Sequence, residues 1–255
     1  MTGIYFSGTG NTKFCIEKFF EHFADAQIFS IEDSNAVPAI SESRDIVFAY
    51  PIYYSNMPKI VRDFIERNSA LWHGKNIYII ATMGLFSGDG SGVSARLFKK
   101  FGANIIGGLH VKMPDCIGDV KALKKPYEKN LETVKTAVQK ITNAAENYKN
   151  KKPAQEGLNF LYHMAGLFGQ RLYFYSKTKN YTCSSKVRHD VCVGCGRCEK
   201  LCPMKNIRIS EGKAVSGNMC TLCYRCFSSC PQKAITILGS KVLEQHNIEN
   251  YKDNI

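Results

Sequence analysis

The sequence predicts an α/β protein: a five-stranded parallel sheet with helices on both faces, followed by a small α+β domain built around two equivalent sites. Three observations carry this. Over residues 1–150, apolar runs of strand length alternate with segments of helical period. Three turns of unusual composition (7–12, 50–58 and 82–92) each follow a strand. A cysteine-dense stretch near the C-terminus repeats itself.

Element by element, TGIYF (2–6) reads as a buried first strand. In NTKFCIEKFFEHF, Ile16, Phe19, Phe20 and Phe23 fall on one helical face, the spacing of a helix packed on a sheet. AQIFSI (26–31) is a second strand. Residues 32–44 have weak periodicity, and no element is assigned to this crossover. DIVFAY (45–50) is a third strand, ending in the turn PIYYSNMP. The next helix turns Ile60, Val61, Phe64 and Ile65 inward, and Trp72 follows it as a packing residue. NIYIIATM (76–83) is a fourth strand, followed by the glycine-rich turn GLFSGDGSG and a helix through SARLFKKF. NIIGGLHV (104–111) is a fifth strand. A helix from Pro126 to Tyr148 presents Leu131, Val134, Val138 and Ile141 at three- and four-residue steps.

In sheets of this kind ligands bind at the carboxyl ends of the strands, at a topological switch point. The three unusual turns follow the first, third and fourth strands and so should meet at that edge. Beyond the sheet, YKNKKPAQ (148–155) is charged, contains Pro153 and marks a linker. The expected division is 1–150 for the sheet domain, 151–182 for a linker with an interdomain helix, 183–240 for the cysteine-rich domain and 241–255 for a C-terminal tail. The helical candidate GLNFLYHMAGLFGQRLYFY (157–175) has a narrow polar stripe of Asn159, His163 and Gln170, and is expected to be buried between the domains. It is broken by polar residues, and no window of 18 apolar residues exists, so no membrane span is expected.

The chain has 255 residues, 44% of them hydrophobic, enough to bury a sizeable core. Met1 leads straight into a strand-like run, so no leader peptide is expected. Eleven cysteines are present, eight of them in two tight groups. Without a secretory signal, such grouping argues for metal binding in a reducing cytoplasm rather than for disulfides. Of the other three, Cys15 reads as a small core residue, and Cys116 and Cys183 lie in polar surroundings.

The first turn, within YFSGTGNTKF (5–14), matches neither common nucleotide loop. Lys13 follows Thr12 instead of preceding a hydroxyl residue, which a P-loop requires, and it also stands where a dinucleotide fingerprint needs its third glycine. What remains is Ser7, Thr9, Thr12, the amide of Asn11 and a run of backbone N–H groups at a helix N-terminus. That set suits one phosphate monoester, held by fixed dipoles and hydrogen bonds.

The cysteine stretch holds CVGCGRCEKLCP (192–203) and CTLCYRCFSSCP (220–231), two copies of C-x2-C-x2-C-x3-C-P. Zinc is usually held by two separated C-x2-C knuckles. Three cysteines at three-residue steps instead curl the backbone around one face of an iron–sulfur cubane, and Pro203 and Pro231 redirect the chain after each fourth cysteine.

From Lys186 to Leu238 the chain resembles bacterial-type ferredoxins with two 4Fe–4S clusters. In those proteins the fourth cysteine of each run ligates the other cluster. The resemblance therefore implies one cluster on Cys192, Cys195, Cys198 and Cys230, and another on Cys220, Cys223, Cys226 and Cys202. Residues 183–238 hold nine Lys/Arg and three Asp/Glu, whereas many free ferredoxins are acidic. The first 150 residues resemble flavodoxins: SGTGNT matches their S/T-x-T-G-x-T loop at the first strand-to-helix turn. That resemblance implies FMN, with its phosphate on Ser7, Thr9, Gly10, Asn11 and Thr12. The second loop would contribute Pro51 and a stacking Tyr53. The third would contribute Thr82, Met83, Gly84 and Phe86, its glycines allowing the φ > 0 geometry that exposes N–H groups. Tyr50, at a strand end, reads as core. The whole chain resembles the flavodoxin–ferredoxin fusion family of anaerobic bacteria, which implies intramolecular electron transfer.

The net charge of +12 falls to about +6 once two clusters and a flavin phosphate are counted. The expected function is electron transfer between FMN and the two clusters, with a redox protein as partner; the basic surface suits an acidic one. Two rivals are a reductase with its own organic or NAD(P)H substrate, and a nucleic-acid-binding protein with structural clusters. No second dinucleotide fingerprint supports the first. The lysine runs KALKKPYEKN and YKNKKPAQ carry few interleaved aromatics, so nucleic acid is not the expected partner. His110, Asp115 and Asp89 are titratable residues near the loops, and none is assigned as a catalytic acid.

Overall fold

Strands that are buried on both faces need cover on both, and the sequence supplies helices for each side. The computed structural model describes residues 1–53, 55–85, 89–115, 125–168, 172, 185–237, 244–245 and 247–255. Its first part runs β1 (Thr2–Tyr5), α1 (Asn11–Phe20), β2 (Gln27–Ser30), α2 (Ala36–Glu42), β3 (Asp45–Pro51), α3 (Lys59–Arg67), β4 (Asn76–Met83), α4 (Gly90–Lys100), β5 (Asn104–Lys112) and α5 (Tyr127–Lys149). The five strands are parallel in the order β2-β1-β3-β4-β5. The expected fold class holds: this is a flavodoxin-like sheet. The chain reverses its direction of winding between β1 and β3, which makes their carboxyl ends the switch point.

Alternation along the strands sorts the core into two layers. Ile46, Phe48, Ile77 and Ile79 face α2, α3 and α4, where Phe64, Trp72 and Phe98 pack. Val47, Ala49, Tyr78 and Ile80 face α1 and α5, where Ile16, Phe19, Val134 and Ile141 pack. Trp72 is fully buried and its indole N–H donates to the Ile65 carbonyl at 2.8 Å. Tyr50 is core, as expected, with its hydroxyl bonded to Gly90 and Ser94. The α5 face is rotated from the expected one. Val134 and Ile141 are buried with Ala137, Ala144 and Ala145, while Leu131 and Val138 are only partly covered. Small side chains let α5 lie close to α1. The crossover at 32–44 contains α2, a seven-residue helix with Pro38 in its first turn, too short to show a helical period.

After α5 the linker does not hang free. Gly108 N–H donates to Ala154 O and Glu156 N–H donates to Gly108 O, both at 2.8 Å, so residues 154–156 lie along β5. An exposed sheet edge is thereby covered. Helix α6 (Phe160–Gly166) follows. Its expected burial between the domains does not hold for the described residues: Phe160, Leu161, Phe168 and Leu172 are 71%, 76%, 66% and 56% exposed. Of the polar stripe, His163 faces inward, its Nδ1 2.9 Å from the buried Asp89 carboxylate, while Asn159 is exposed and Gln170 lies outside the described residues. Residues 169–171 and 173–175 lie outside the described residues. Among the described residues no helix is long and apolar enough to cross a membrane.

The cysteine-rich part is small and α+β: β6 (Ser185–Val187), α7 (Arg197–Leu201), β7 (Ile207–Ser210), β8 (Lys213–Ser216), α8 (Arg225–Ser229) and β9 (Ile235–Ile237). β6 pairs with β9 and β7 with β8, both antiparallel. The tail then returns to the first domain. Gln245 donates to the carbonyls of Phe227 and Cys230, while Ile248 and Tyr251 are buried in the α1–α5 layer. The tail thus staples the two parts together.

Gly108 sits where strand, linker and α4 converge. A side chain there would place its Cβ 2.6 Å from Glu156 O and 2.7 Å from Ser91 Oγ. Gly108→Val is expected to cost about 1–3 kcal/mol by overpacking and to free the linker strand. Urea denaturation and faster proteolytic cleavage near residues 152–156 measure both effects.

Candidate cofactor sites at the sheet edge and in the cysteine repeat

The first turn closes because Gly10 takes φ 93°, a left-handed conformation that glycine adopts without cost, and so caps α1. Gly10 N–H donates to Ser7 Oγ at 3.1 Å. Thr12 is buried, its hydroxyl 2.7 Å from that of Thr82 at the end of β4. Asn11 donates to the Pro114 carbonyl at 2.9 Å. The first turn is therefore tied to the ends of β4 and β5.

These ends enclose a cavity of about 40 Å³. Ser7, Thr9, Asn11, Thr12, Pro51, Tyr53, Thr82, Met83 and Gly84 line it. Gly10, the cap of α1, is not among the lining residues, and Phe86 lies outside the described residues. Gly8, Ile52, Met113, Pro114 and Asp115 also line it, and sequence reasoning missed them. The signal for the last three was available, since β5 ends at the same edge as β4. The enclosed space is far below the roughly 300–1,000 Å³ of a full small-molecule pocket. It has room for a phosphate group, with the hydroxyls of Ser7, Thr9 and Thr12 as donors.

A larger cavity of about 520 Å³ adjoins this one and shares Met83. His110, Lys112, Lys125, Lys140, Glu156 and Tyr162 are among its walls. Lys140 pairs with Glu156 at 2.8 Å, and Glu156 accepts from His110 N–H at 2.7 Å.

The second cysteine loop lies directly on the first turn. A Cβ on Gly8 would overlap the Cys223 carbonyl oxygen, so the two backbones approach as closely as glycine allows. Arg225 donates to Ser7 O at 2.8 Å and forms a two-point ion pair with Glu32 at 2.7 and 2.8 Å. Ile60 N–H reaches Thr221 Oγ1 at 3.4 Å, and the Tyr53 and Tyr224 rings meet edge-on at 6.5 Å.

Cys192, Cys195, Cys198 and Cys230 line one cavity of about 20 Å³. Burial pushes the Cys198 thiol up, and Cys230 and Cys192 add to the shift. Burial pushes the Cys223 thiol up to about 12, with Cys220 and Cys202 contributing. Cys226 is raised by burial and then by Cys223, Cys220 and Cys202. Such thiols ionise only beside positive charge, which a cluster's irons supply. Backbone N–H groups point at four sulfurs: Asn206 at Cys202, Ala234 at Cys230, Leu222 at Cys220 and Ala214 at Cys192, at 3.2–3.5 Å. That donor set fits thiolate ligands. Among the described residues no three His, Cys, Asp or Glu side chains form a site for a single metal ion. Cys15 is a fully buried core residue; Cys116 and Cys183 lie outside the described residues.

Residues 4–150, more than half of the chain, match the Flavodoxin domain family. The chain belongs to that family. Residues 191–235 match the 4Fe-4S dicluster domain, so the protein is a flavodoxin–ferredoxin fusion whose second part implies two clusters. No curated protein matched the fusion. Among solved structures, the flavodoxin of Megasphaera elsdenii in its two-electron reduced form aligns at 20% identity and TM-score 0.41, covering 57% of this chain and 98% of its own. A flavodoxin from the domain Archaea aligns at 20% identity and TM-score 0.42, covering 58% and 99%. The Fusobacterium nucleatum flavodoxin bound to flavin mononucleotide aligns at 17% identity and TM-score 0.39, covering 57% and 97%.

The fusion's His110 is held neutral. Burial pushes its pKa down to about 4, Lys140 adds to this, and Glu156 and Asp89 oppose it. Ser91 N–H donates to Nε2 at 3.1 Å, so protonation there would remove an acceptor. The unfolded chain binds this proton near pH 6.5 and the folded chain near pH 4. Stability from His110 is therefore complete above about pH 6.5 and is lost as pH falls towards 4. Between pH 7 and pH 5, urea denaturation of His110→Gln should show a loss smaller than wild type by about 2 kcal/mol.

Proposed function

We propose that this fusion is an electron carrier that passes electrons between an FMN at the sheet edge and two 4Fe–4S clusters in the cysteine repeat. The observation that carries the reading is the contact of the second cysteine loop with the first turn, Cys223 against Gly8 and Arg225 on Ser7. It brings a cluster ligand and a phosphate loop into one packed unit.

Ser7, Thr9, Gly10, Asn11 and Thr12 would hold the flavin phosphate by hydroxyl and backbone N–H donors at the start of α1. Pro51, Tyr53, Thr82, Met83, Gly84 and Phe86 would flank the ring, and Tyr53 would keep water from it. Asp115 brings a carboxylate to this cradle, and nearby negative charge opposes flavin reduction. Cys192, Cys195, Cys198 and Cys230 would hold one cluster; Cys202, Cys220, Cys223 and Cys226 would hold the other. The N–H groups of Asn206, Ala214, Leu222 and Ala234 would raise cluster potential by bonding the ligand sulfurs. Bound together, a two-electron flavin and two one-electron clusters let the chain split or merge electron pairs. The partner is a redox protein.

Anaerobic purification should yield protein with about eight irons and one FMN per chain. Protein that takes up neither on reconstitution defeats the reading. Cys202→Ala should remove the EPR signal of the cluster held by Cys220, Cys223 and Cys226 and spare the other. Loss of the sequence-adjacent cluster instead would show an uncrossed ligand set.

The 520 Å³ cavity favours a second reading, a reductase with its own small substrate, because it has small-molecule size and shares Met83 with the flavin cradle. Its lysines suit an anion. Stopped-flow mixing with NADH and NADPH separates the readings: a carrier shows no rapid flavin bleaching, whereas a reductase using these donors does.

A further inference from the structure

The two cysteine cages are alike in sequence and unlike in surroundings. The cage of Cys202, Cys220, Cys223 and Cys226 faces inward. Cys223 is buried in the same core layer as Tyr53, Met57 and Ile60 of the flavodoxin part. Thr221, Tyr224 and Arg225 all contact that part. The other cage faces outward. Every described residue lining its cavity lies between Val187 and Ile235 of the ferredoxin part itself. Cys195 is exposed, and Val193, on the same ligand loop, is 63% exposed.

The backbone explains how one repeat produces two faces. Equivalent positions take positive φ in both copies: Gly194 and Leu222 at 65° and 58°, Gly196 and Tyr224 at 74° and 59°. The first copy uses glycine there: Gly194 lies against the Gly212 carbonyl, and Gly196 has open space beside it. The second forces bulky side chains into a conformation that disfavours them. Tyr224 is then buried against Tyr53 and Phe227. Strain of this kind persists where surrounding contacts over-determine it: Leu222 and Tyr224 pack in the core of the ferredoxin part, and Tyr224 also meets Tyr53 across the interface.

We propose, resting on the electron-carrier reading, that the cage of Cys192, Cys195, Cys198 and Cys230 is the port for an external one-electron carrier protein with an acidic docking face, and that the other cage relays between this port and the flavin site. Val193 supplies an apolar centre. Exposed Lys186, Arg197, Lys200 and Lys233, each on or beside the cavity's lining segments, supply a basic rim, against Asp190 and Glu199. An apolar centre with a charged rim is the anatomy of a transient interface, and opposite charge speeds the encounter. In each encounter the partner loses one electron and this chain gains one, entering at the port and moving inward. Two encounters supply the pair that a flavin holds.

The test uses the full holoprotein and an acidic two-cluster ferredoxin as probe. Arg197→Glu/Lys200→Glu reverses the rim without touching a cluster ligand, and Lys99→Glu/Lys100→Glu on exposed α4 is the control. Calorimetric binding of the oxidised proteins reads docking with no electron flow, and stopped-flow reads exchange. At low ionic strength the rim variant should lose about tenfold or more in affinity and rate, with a shallower salt dependence and unchanged iron and flavin content. The control should stay within about twofold of wild type. Three results overturn the port: wild type that does not bind the probe, a rim variant that binds as wild type does, or a control that loses as much. A wild-type chain without flavin or iron overturns the carrier reading itself, and the port with it.

Discussion

The architecture depends on the approach of the Cys223 carbonyl to the α-carbon of Gly8. No other residue type fits at Gly8, and the contact brings the ligand loop of one domain onto the phosphate loop of the other. Arg225 fixes it. Its guanidinium is partly buried between the Ser7 carbonyl, the Glu32 carboxylate and the face of Phe6, 5.8 Å away. A planar fork can satisfy a carbonyl and a two-point carboxylate at once, which an ammonium cannot. Burial alone would lower the Arg225 pKa, but Glu32 more than offsets it, so the charge is retained inside the interface.

The contact is backed by covalent connections that run around it. The linker follows β5 through Gly108 before α6, and the tail returns through Gln245 to bury Ile248 and Tyr251 on α1 and α5. Ile248 also packs over Gly10, and its N–H reaches Thr9 O at 3.4 Å. The C-terminal end of the ferredoxin part is therefore anchored to the flavodoxin part, and the first turn is covered from two sides. This cover also explains why the enclosed cavity is small.

The repeat shows how a duplicated sequence becomes directional. Its backbone is preserved: positive φ recurs at Lys205 and Lys233 as well, and Cys202 and Cys230 each accept an N–H from the residue four positions on. Both cages therefore offer their sulfurs a similar set of dipoles. The difference lies in what stands at the strained positions, glycine in one copy, Leu222 and Tyr224 in the other. Leu222 adds buried area within the ferredoxin core and Tyr224 adds it there and against Tyr53, at a cost in backbone strain.

Much was legible in the residues alone. Periodicity sets the strands and helices of the sheet, because side chains alternate on a strand and recur every 3.6 residues on a helix. Cysteine spacing sets the cluster chemistry, because the ligand steps are local. The cleft at the strand ends was legible as three turns, since parallel strands all end at one edge. The short α2, the small-residue face of α5 and the exposed apolar side of α6 were not. Seven residues show no period, alanines give weak hydrophobic signal, and which side of an amphipathic helix is covered depends on what lies beside it. Only tertiary structure decided which cage meets the flavin loop. Ser7 and Arg225 stand 218 positions apart, and read locally they are a turn serine and a surface arginine. Nothing in either neighbourhood encodes the other, since a contact of that span exists only once both domains have folded and docked.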